Sequence, residues 1–125
     1  MPTEQAIEAA AEAAHEVNRA YCAAIGDISH LSWLQTPEEI KQSVRAGVRL
    51  IIDRGTTGPE QQHQAWLDHY KAKGWRWGPV KDAGKKQHPC LLPWAELPLW
   101  QRAKDQIFGH VVRAVLEHHE ACYGS

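Results

Sequence analysis

Residues 74–82 read Gly-Trp-Arg-Trp-Gly-Pro-Val-Lys-Asp, and residues 87–91 continue the motif with Gln-His-Pro-Cys-Leu. Helical periodicity stops at this stretch, whereas helix-like patterns lie on both sides of it. An irregular segment of this kind inside a compact domain is more often functional than a plain connection. Its flat aromatic rings, fixed cations and single imidazole are typical of a binding surface, and it contains no recognisable catalytic set.

A mainly α fold of about four helices is predicted around this stretch. Apolar residues recur at three- and four-residue steps over spans of about 3–25, 36–52, 60–73 and 98–123. Thr36 is expected to be the N-cap of the second helix because Pro37 and Glu39 follow it. Within the central stretch, 75–77 and 89–92 are expected to pair as a short β-hairpin.

The two helix pairs share a sequence frame. Gly26 follows His15 by eleven residues, and Gly74 follows His63 by the same interval. Prolines then open the second and fourth helices. We therefore predict one domain over 1–125, made of pseudo-repeated halves at about 3–54 and 58–123, with the β-hairpin inserted in the second half. A cleft between the halves would be a common location for a ligand pocket.

Composition and charge make nucleic acid polymers and membranes unfavoured as partners. The 125 residues carry a net charge of −1, so no overall basic field favours binding to a nucleic acid polymer. No apolar run approaches the ~20 residues of a membrane span, and the acidic N-terminus does not resemble a signal peptide. The expected location is therefore the cytoplasm. The three cysteines are odd in number and form no CxxC motif, which favours reduced thiols over a disulfide framework or a cysteine-rich zinc site.

The central motif resembles the ryanodine receptor repeat, or RyR domain. The resemblance rests on the GWRWGPVKD sequence at 74–82, on KQHPCLLPW at 86–94 and on the ELP that precedes the fourth helix at 96–98. It extends over about 59–116, and the first half resembles longer single-chain members from phages and bacteria. Trp77 departs from the family pattern, which usually has tyrosine there, and Trp94 replaces another aromatic residue.

The resemblance implies a mainly helical fold with a short hairpin and no recognised enzymatic activity. The repeat occurs in tandem in giant calcium-release channels and alone in bacteria and their viruses, where such domains have been proposed to recognise nucleotide-derived ligands. A small-molecule ligand of nucleotide-like or anionic character is the implied partner, and the small phage and bacterial members are the implied relatives.

Nine residues are the candidate ligand-binding set. Indoles can stack on a base, lysines can neutralise phosphate, and an imidazole can donate a hydrogen bond. Each residue also has a structural alternative, since buried tryptophans in small domains usually form the core and buried histidines usually pair with neighbours. The set is His15, Asn18, Tyr21, Trp66, Trp75, Trp77, Lys81, Lys86 and His88.

Other classes of function are less favoured by the sequence. No nucleophile elbow, glycine-rich phosphate loop or carboxylate cluster is present, so no catalytic residues and no cofactor are expected. Adjacent His118 and His119 point in different directions on a helix, so a metal site with Cys122 is not expected. The main alternative is a protein-interaction module that docks another chain, or a second copy of itself, through exposed aromatic side chains.

Overall fold

The computed structural model describes residues 2–55 and 58–123, with side chains up to residue 120. It is mainly helical, with four α-helices and a two-stranded sheet. The elements in chain order are α1 (Glu4–Ala24), a 3-10 turn (Trp33–Gln35), α2 (Glu38–Arg54), α3 (Pro59–Ala72), β1 (Arg76–Trp77), β2 (Gln87–His88), a second 3-10 turn (Trp94–Glu96) and α4 (Leu99–Tyr123). The predicted helices are confirmed within one or two residues.

The core forms where α1 packs against α2 and α4. Alanines on the buried face of α1, including Ala10 and Ala11, are fully buried and let the neighbouring helices approach closely. Val48 of α2 and Val112 of α4 are also fully buried and meet in the same cluster. Among the described residues, none of the helices is both long and apolar enough to span a membrane.

Glycines end α1 and α3 as the sequence predicts. Gly26 has φ +100° and Gly74 has φ +88°, the left-handed region that a side chain disfavours. In both turns the next backbone N–H reaches back to the helix: Asp27 N donates to Cys22 O at 2.8 Å, and Trp75 N donates to Tyr70 O at 3.0 Å. The chain therefore reverses at equivalent points in the two halves.

The predicted hairpin is wrong in two respects. The second strand is Gln87–His88 rather than 89–92, and it runs parallel to β1, with Trp77 opposite His88. After β1 the chain makes a tight turn, in which Asp82 and Gln87 form an antiparallel bridge. β2 then runs in the same direction as β1. Each strand has only two residues, so alternation of side chains could not identify the pairing direction.

The prediction that Thr36 caps α2 is also wrong. Pro37 occupies the N-cap position, and its carbonyl accepts from the amides of Ile40 and Lys41, both at 3.1 Å. The Thr36 side chain is buried and donates to Ser32 O at 2.7 Å. Its hydroxyl therefore closes the 3-10 turn before the helix.

A buried histidine joins each helix pair to its connecting segment. In the first half, the Nε2 of His15 lies 2.7 Å from Leu31 O, and the ring contacts Trp33 at a centroid distance of 5.5 Å. In the second half, His63 Nε2 lies 2.6 Å from Leu92 O, and its ring lies 6.2 Å from that of Trp94. The two halves thus repeat the same anchoring contacts, while the boundaries of the pseudo-repeat stay a prediction.

Two acidic residues of α1 face basic residues of α2. Glu8 accepts from Arg45 Nε at 2.7 Å and from the buried Trp33 Nε1 at 3.1 Å. One turn away, Arg49 donates to Glu4 at 3.1 Å. Arg45 and Arg49 of α2 therefore lie against the acidic face of α1.

Candidate functional site

One face of α3 carries three rings in succession. His63, Trp66 and Tyr70 follow one another at three- and four-residue steps, so the helix places them on one side. His63 stacks on Trp66 with an interplanar angle of 25° and a centroid distance of 5.5 Å. Trp66 and Tyr70 are closer, at 4.8 Å. Ring contacts of this kind favour particular relative orientations and add stability to that gained from burial of the rings.

The aromatic contacts continue from α3 into the sheet region. Tyr70 meets the edge of Trp75 at 5.3 Å, and Trp66 meets His88 at 5.3 Å. We call His63, Trp66, Tyr70, Trp75 and His88 the ring cluster. Its members are buried or half-buried, so three of the nine predicted ligand-binding residues, Trp66, Trp75 and His88, also hold α3 and the sheet together.

His63, a buried member of the ring cluster, also faces the half-buried Asp105 of α4. His63 Nε2 donates to Leu92 O, because a carbonyl only accepts, so Nδ1 of the neutral ring carries the lone pair. That Nδ1 lies 3.9 Å from Asp105 Oδ2, which is buried and has no hydrogen-bond partner among the described residues. Burial raises the pKa of Asp105 to about 6, although His63 and Lys104 act in the opposite direction.

The sheet presents one open indole beside the ring cluster. Trp77 is 51% exposed and lies opposite His88 in the strand register. Cross-strand neighbours point to the same face of a sheet. Gly78 follows, and a Cβ added there would lie 2.5 Å from Gln87 Cβ, so only glycine lets the two strands approach this closely.

His88 has a defined neutral form. Its Nδ1 accepts a hydrogen bond from Cys90 N at 3.0 Å, so the proton of the neutral ring is on Nε2. Desolvation lowers the pKa of His88, and the charges of Lys81 and Lys104 lower it further. The ring is therefore neutral at pH 7 and offers one N–H donor on the side away from Cys90.

The two predicted lysines have different surroundings. Lys81 is exposed, and its charge acts on His88. Lys86 instead has φ 55° and donates from Nζ to Lys73 O at 3.0 Å, which satisfies a carbonyl at the end of α3. Lys81 is thus the better placed of the two for an anion beside His88.

The three predicted residues of α1 have separate contacts. His15 is buried and holds Leu31 O. Asn18 accepts a weak hydrogen bond from Cys22 Sγ at 3.8 Å, and Tyr21 OH donates to Trp100 O at 3.2 Å. His15 and Asn18 thus make contacts within the first half, Tyr21 joins α1 to α4, and no contact given for the described residues joins these three to the ring cluster.

A shallow groove lies elsewhere, between the end of α2 and the start of α3. Its volume is about 330 Å³, and polar and apolar atoms contribute equally to its lining. The residues that line it are Arg54, Gln61, Gln64, Ala65 and Asp68. None of the nine predicted ligand-binding residues is among them, so this groove is separate from the surface at Trp77 and His88.

One group of functional interest, Asp105, was missed from the sequence. Asp105 lies in a helix with an ordinary apolar stripe, and only the fold shows that its carboxylate faces His63. Cys22 is buried and Cys90 is half-buried as free thiols, in agreement with the sequence prediction, while the side chain of Cys122 lies outside the described part of the chain.

Comparison with known families agrees with the motif at the centre of the chain. Residues 56–117 match the family described as the RyR domain. The matched segment contains α3, both strands and most of α4, so it includes the whole ring cluster and the open indole. Over these residues the chain therefore belongs to the RyR domain family.

Proposed function

We propose that this chain is a non-catalytic module that binds a nucleotide-like or other anionic small molecule at Trp77, His88 and Lys81. Support comes mainly from one observation: a half-exposed indole lies in register with a neutral imidazole donor, and a free lysine is near that imidazole. The indole, the imidazole and the ammonium are together complementary to a ligand in which a flat aromatic base is joined to an anionic group.

Each group has a distinct role in the proposed complex. A base stacked on the exposed face of Trp77 would gain about 1–3 kcal/mol. His88 would donate from Nε2 to a phosphate oxygen or a base acceptor, and Lys81 would supply a point charge. Trp66 and Trp75 would act indirectly, since their rings hold His88 and β1 in place.

Capture without chemistry is the mode of action that we propose. The chain would act in the cytoplasm as a sensor or sponge of nucleotide signals, consistent with its resemblance to small phage and bacterial RyR proteins. Incubation with candidate nucleotides followed by mass analysis tests the absence of catalysis, since any new product mass would contradict it.

Isothermal calorimetry with adenine nucleotides, cyclic dinucleotides and ADP-ribose derivatives tests the binding itself. Trp77→Ala should weaken a nucleotide about 5- to 150-fold, the equivalent of the stacking free energy. Trp100→Ala is the matched control, because Trp100 is 49% exposed on α4 and lies outside the proposed site. Equal effects of the two substitutions, or no binding by the folded wild type, would refute the proposal.

The polar part of the site needs its own controls. Lys81→Ala should weaken anionic ligands, whereas Lys71→Ala, at an exposed position on α3, should not. His88→Ala can also disturb Trp66, so its melting temperature must be compared with wild type before any loss of affinity is assigned to the ligand.

A protein-interaction module is the second candidate function. Val80 is 70% exposed close to the 51% exposed Trp77, so an apolar surface is available near the sheet. A partner protein or a second copy of the chain would cover both side chains. Size-exclusion chromatography over a concentration series, with Val80→Ser as the variant, distinguishes self-association from nucleotide binding.

A further inference from the structure

Three potential metal ligands converge where α1 ends. Cys22, Asp27 and His30 each offer a donor atom, and these sulfur, oxygen and nitrogen atoms all lie within 4.8 Å of one another. We propose that they form a binding site for a divalent transition metal ion, with Zn²⁺ as the best fit. The site lies outside the matched residues 56–117 and is independent of the proposed nucleotide function.

The turn after α1 brings the ligands together. Asp27 N donates to Cys22 O at 2.8 Å, which folds the chain back so that the Asp27 side chain lies beside the Cys22 thiol. Gly26 permits this turn through its φ of +100°. The sequence C-x4-D-x2-H at 22–30 is not a familiar zinc motif, so the spacing alone gave no signal.

The Asp27 carboxylate is already oriented. Its Oδ1 accepts from Ser29 N at 3.0 Å and from Ser29 Oγ at 2.6 Å. This leaves Oδ2 facing His30 Nε2 at 3.4 Å. Neighbouring ligand atoms of a tetrahedral zinc ion are about 3.3–3.8 Å apart, from bond lengths of about 2.0–2.3 Å. The Asp27–His30 separation therefore fits a shared metal ion, and Ser29 would serve as its outer-shell support.

The donor set suits zinc better than magnesium or calcium. A thiolate and an imidazole are ligands of a borderline-soft ion, whereas magnesium and calcium prefer oxygen alone. Asn18 Oδ1 lies 3.8 Å from Cys22 Sγ and is a possible fourth ligand in place of water.

One neighbouring charge opposes the ion. The positive charge of Lys104 on α4 acts on both Asp27 and His30, so it would oppose a dication bound there. Lys104→Ala should therefore tighten binding, a result that adventitious binding at another site would not give.

Cobalt substitution of the full chain tests the site directly. After treatment with a chelator, the protein is titrated with Co²⁺, whose thiolate complex gives a charge-transfer band that oxygen and nitrogen ligands do not. We expect one equivalent of Co²⁺ with this band, displaced by Zn²⁺. Cys22→Ser should abolish the band, whereas Cys90→Ser, at the half-buried cysteine, should keep it.

Because Cys22 is buried, its replacement can disturb the fold as well as the metal site. Substitutions at less buried positions therefore provide a second test. Asp27→Asn and His30→Gln should each lower Zn²⁺ affinity about tenfold or more, and Ser29→Ala by about 10- to 100-fold as an outer-shell change. Zn²⁺ should also raise the melting temperature of the wild type, because it binds the folded state. Binding without the charge-transfer band, or binding lost only in His118→Gln/His119→Gln, would overturn the proposal.

Discussion

Replacing Asp105 with asparagine should stabilise the protein at alkaline pH. The Asp105 side chain is half-buried, and its buried Oδ2 lacks a hydrogen-bond partner among the described residues and lies 3.9 Å from His63 Nδ1. Ionisation at this position is unfavourable because burial withdraws the carboxylate from water, and this effect exceeds the opposing effects of His63 and Lys104. An asparagine amide of the same shape carries no charge and can donate to that nitrogen.

The magnitude follows from the shift in pKa. Folding raises the pKa of Asp105 from 3.8 to about 6, so the folded state holds its proton more tightly than the unfolded state. The resulting stabilisation is fully present below pH 3.8 and is lost as pH rises to about 6. At 1.36 kcal/mol per pKa unit, the loss is at most about 3 kcal/mol.

Urea unfolding of wild type and Asp105→Asn from pH 3.5 to 8 measures this difference. The variant should be more stable by up to about 3 kcal/mol at pH 8, and the difference should shrink towards pH 4. Asp53→Asn, at an exposed position of α2, is the control and should show no such pH dependence. A variant that is no more stable at pH 8, or a difference that is constant with pH, would refute the assigned environment of Asp105.

Two further substitutions test the packing around the site. Gly78→Ala should destabilise the fold by about 1–3 kcal/mol in urea unfolding, because its Cβ would lie 2.5 Å from that of Gln87. Gly84→Ala, with 3.4 Å to its nearest neighbour, should be nearly neutral, and equal effects would contradict the close strand approach. Glu8→Ala should cost about 1–3 kcal/mol because it leaves the buried Trp33 N–H without its acceptor. Glu8→Gln keeps an acceptor and should cost less, so the reverse order in thermal unfolding would exclude this role.

The helices and their ends could be predicted from the sequence because their signals are local. The eleven-residue interval from histidine to glycine identified both Gly26 and Gly74, and both have positive φ. Thr36 gave an equally local signal that proved wrong. The Thr36 hydroxyl donates to Ser32 O instead of accepting from an amide of α2, and Ser32 O comes within reach only when the 3-10 turn forms.

The candidate site was harder to predict because its chemistry depends on long-range contacts. Trp75 and Trp77 look alike in the motif, but Trp75 packs on Tyr70 while Trp77 stays half-exposed. Lys81 and Lys86 look alike as well, yet one caps α3 and the other faces solvent. A two-residue strand is too short for its sequence pattern to show which of these side chains packs against the fold and which stays exposed.

The repeated histidine anchors suggest where the two halves can differ in function. His15 and His63 hold Leu31 O and Leu92 O in the same way, so each anchor fixes the end of the segment that follows its helix. Leu31 lies only five positions after Gly26, and this short segment contains Asp27 and His30 of the proposed metal site. The equivalent segment after Gly74 is eighteen positions long and contains both strands. Because the histidine anchors hold the ends of both segments, the residues within each segment can differ without loss of the fold. The segment after Gly26 supplies two of the three proposed metal ligands, and the segment after Gly74 supplies the whole proposed nucleotide site.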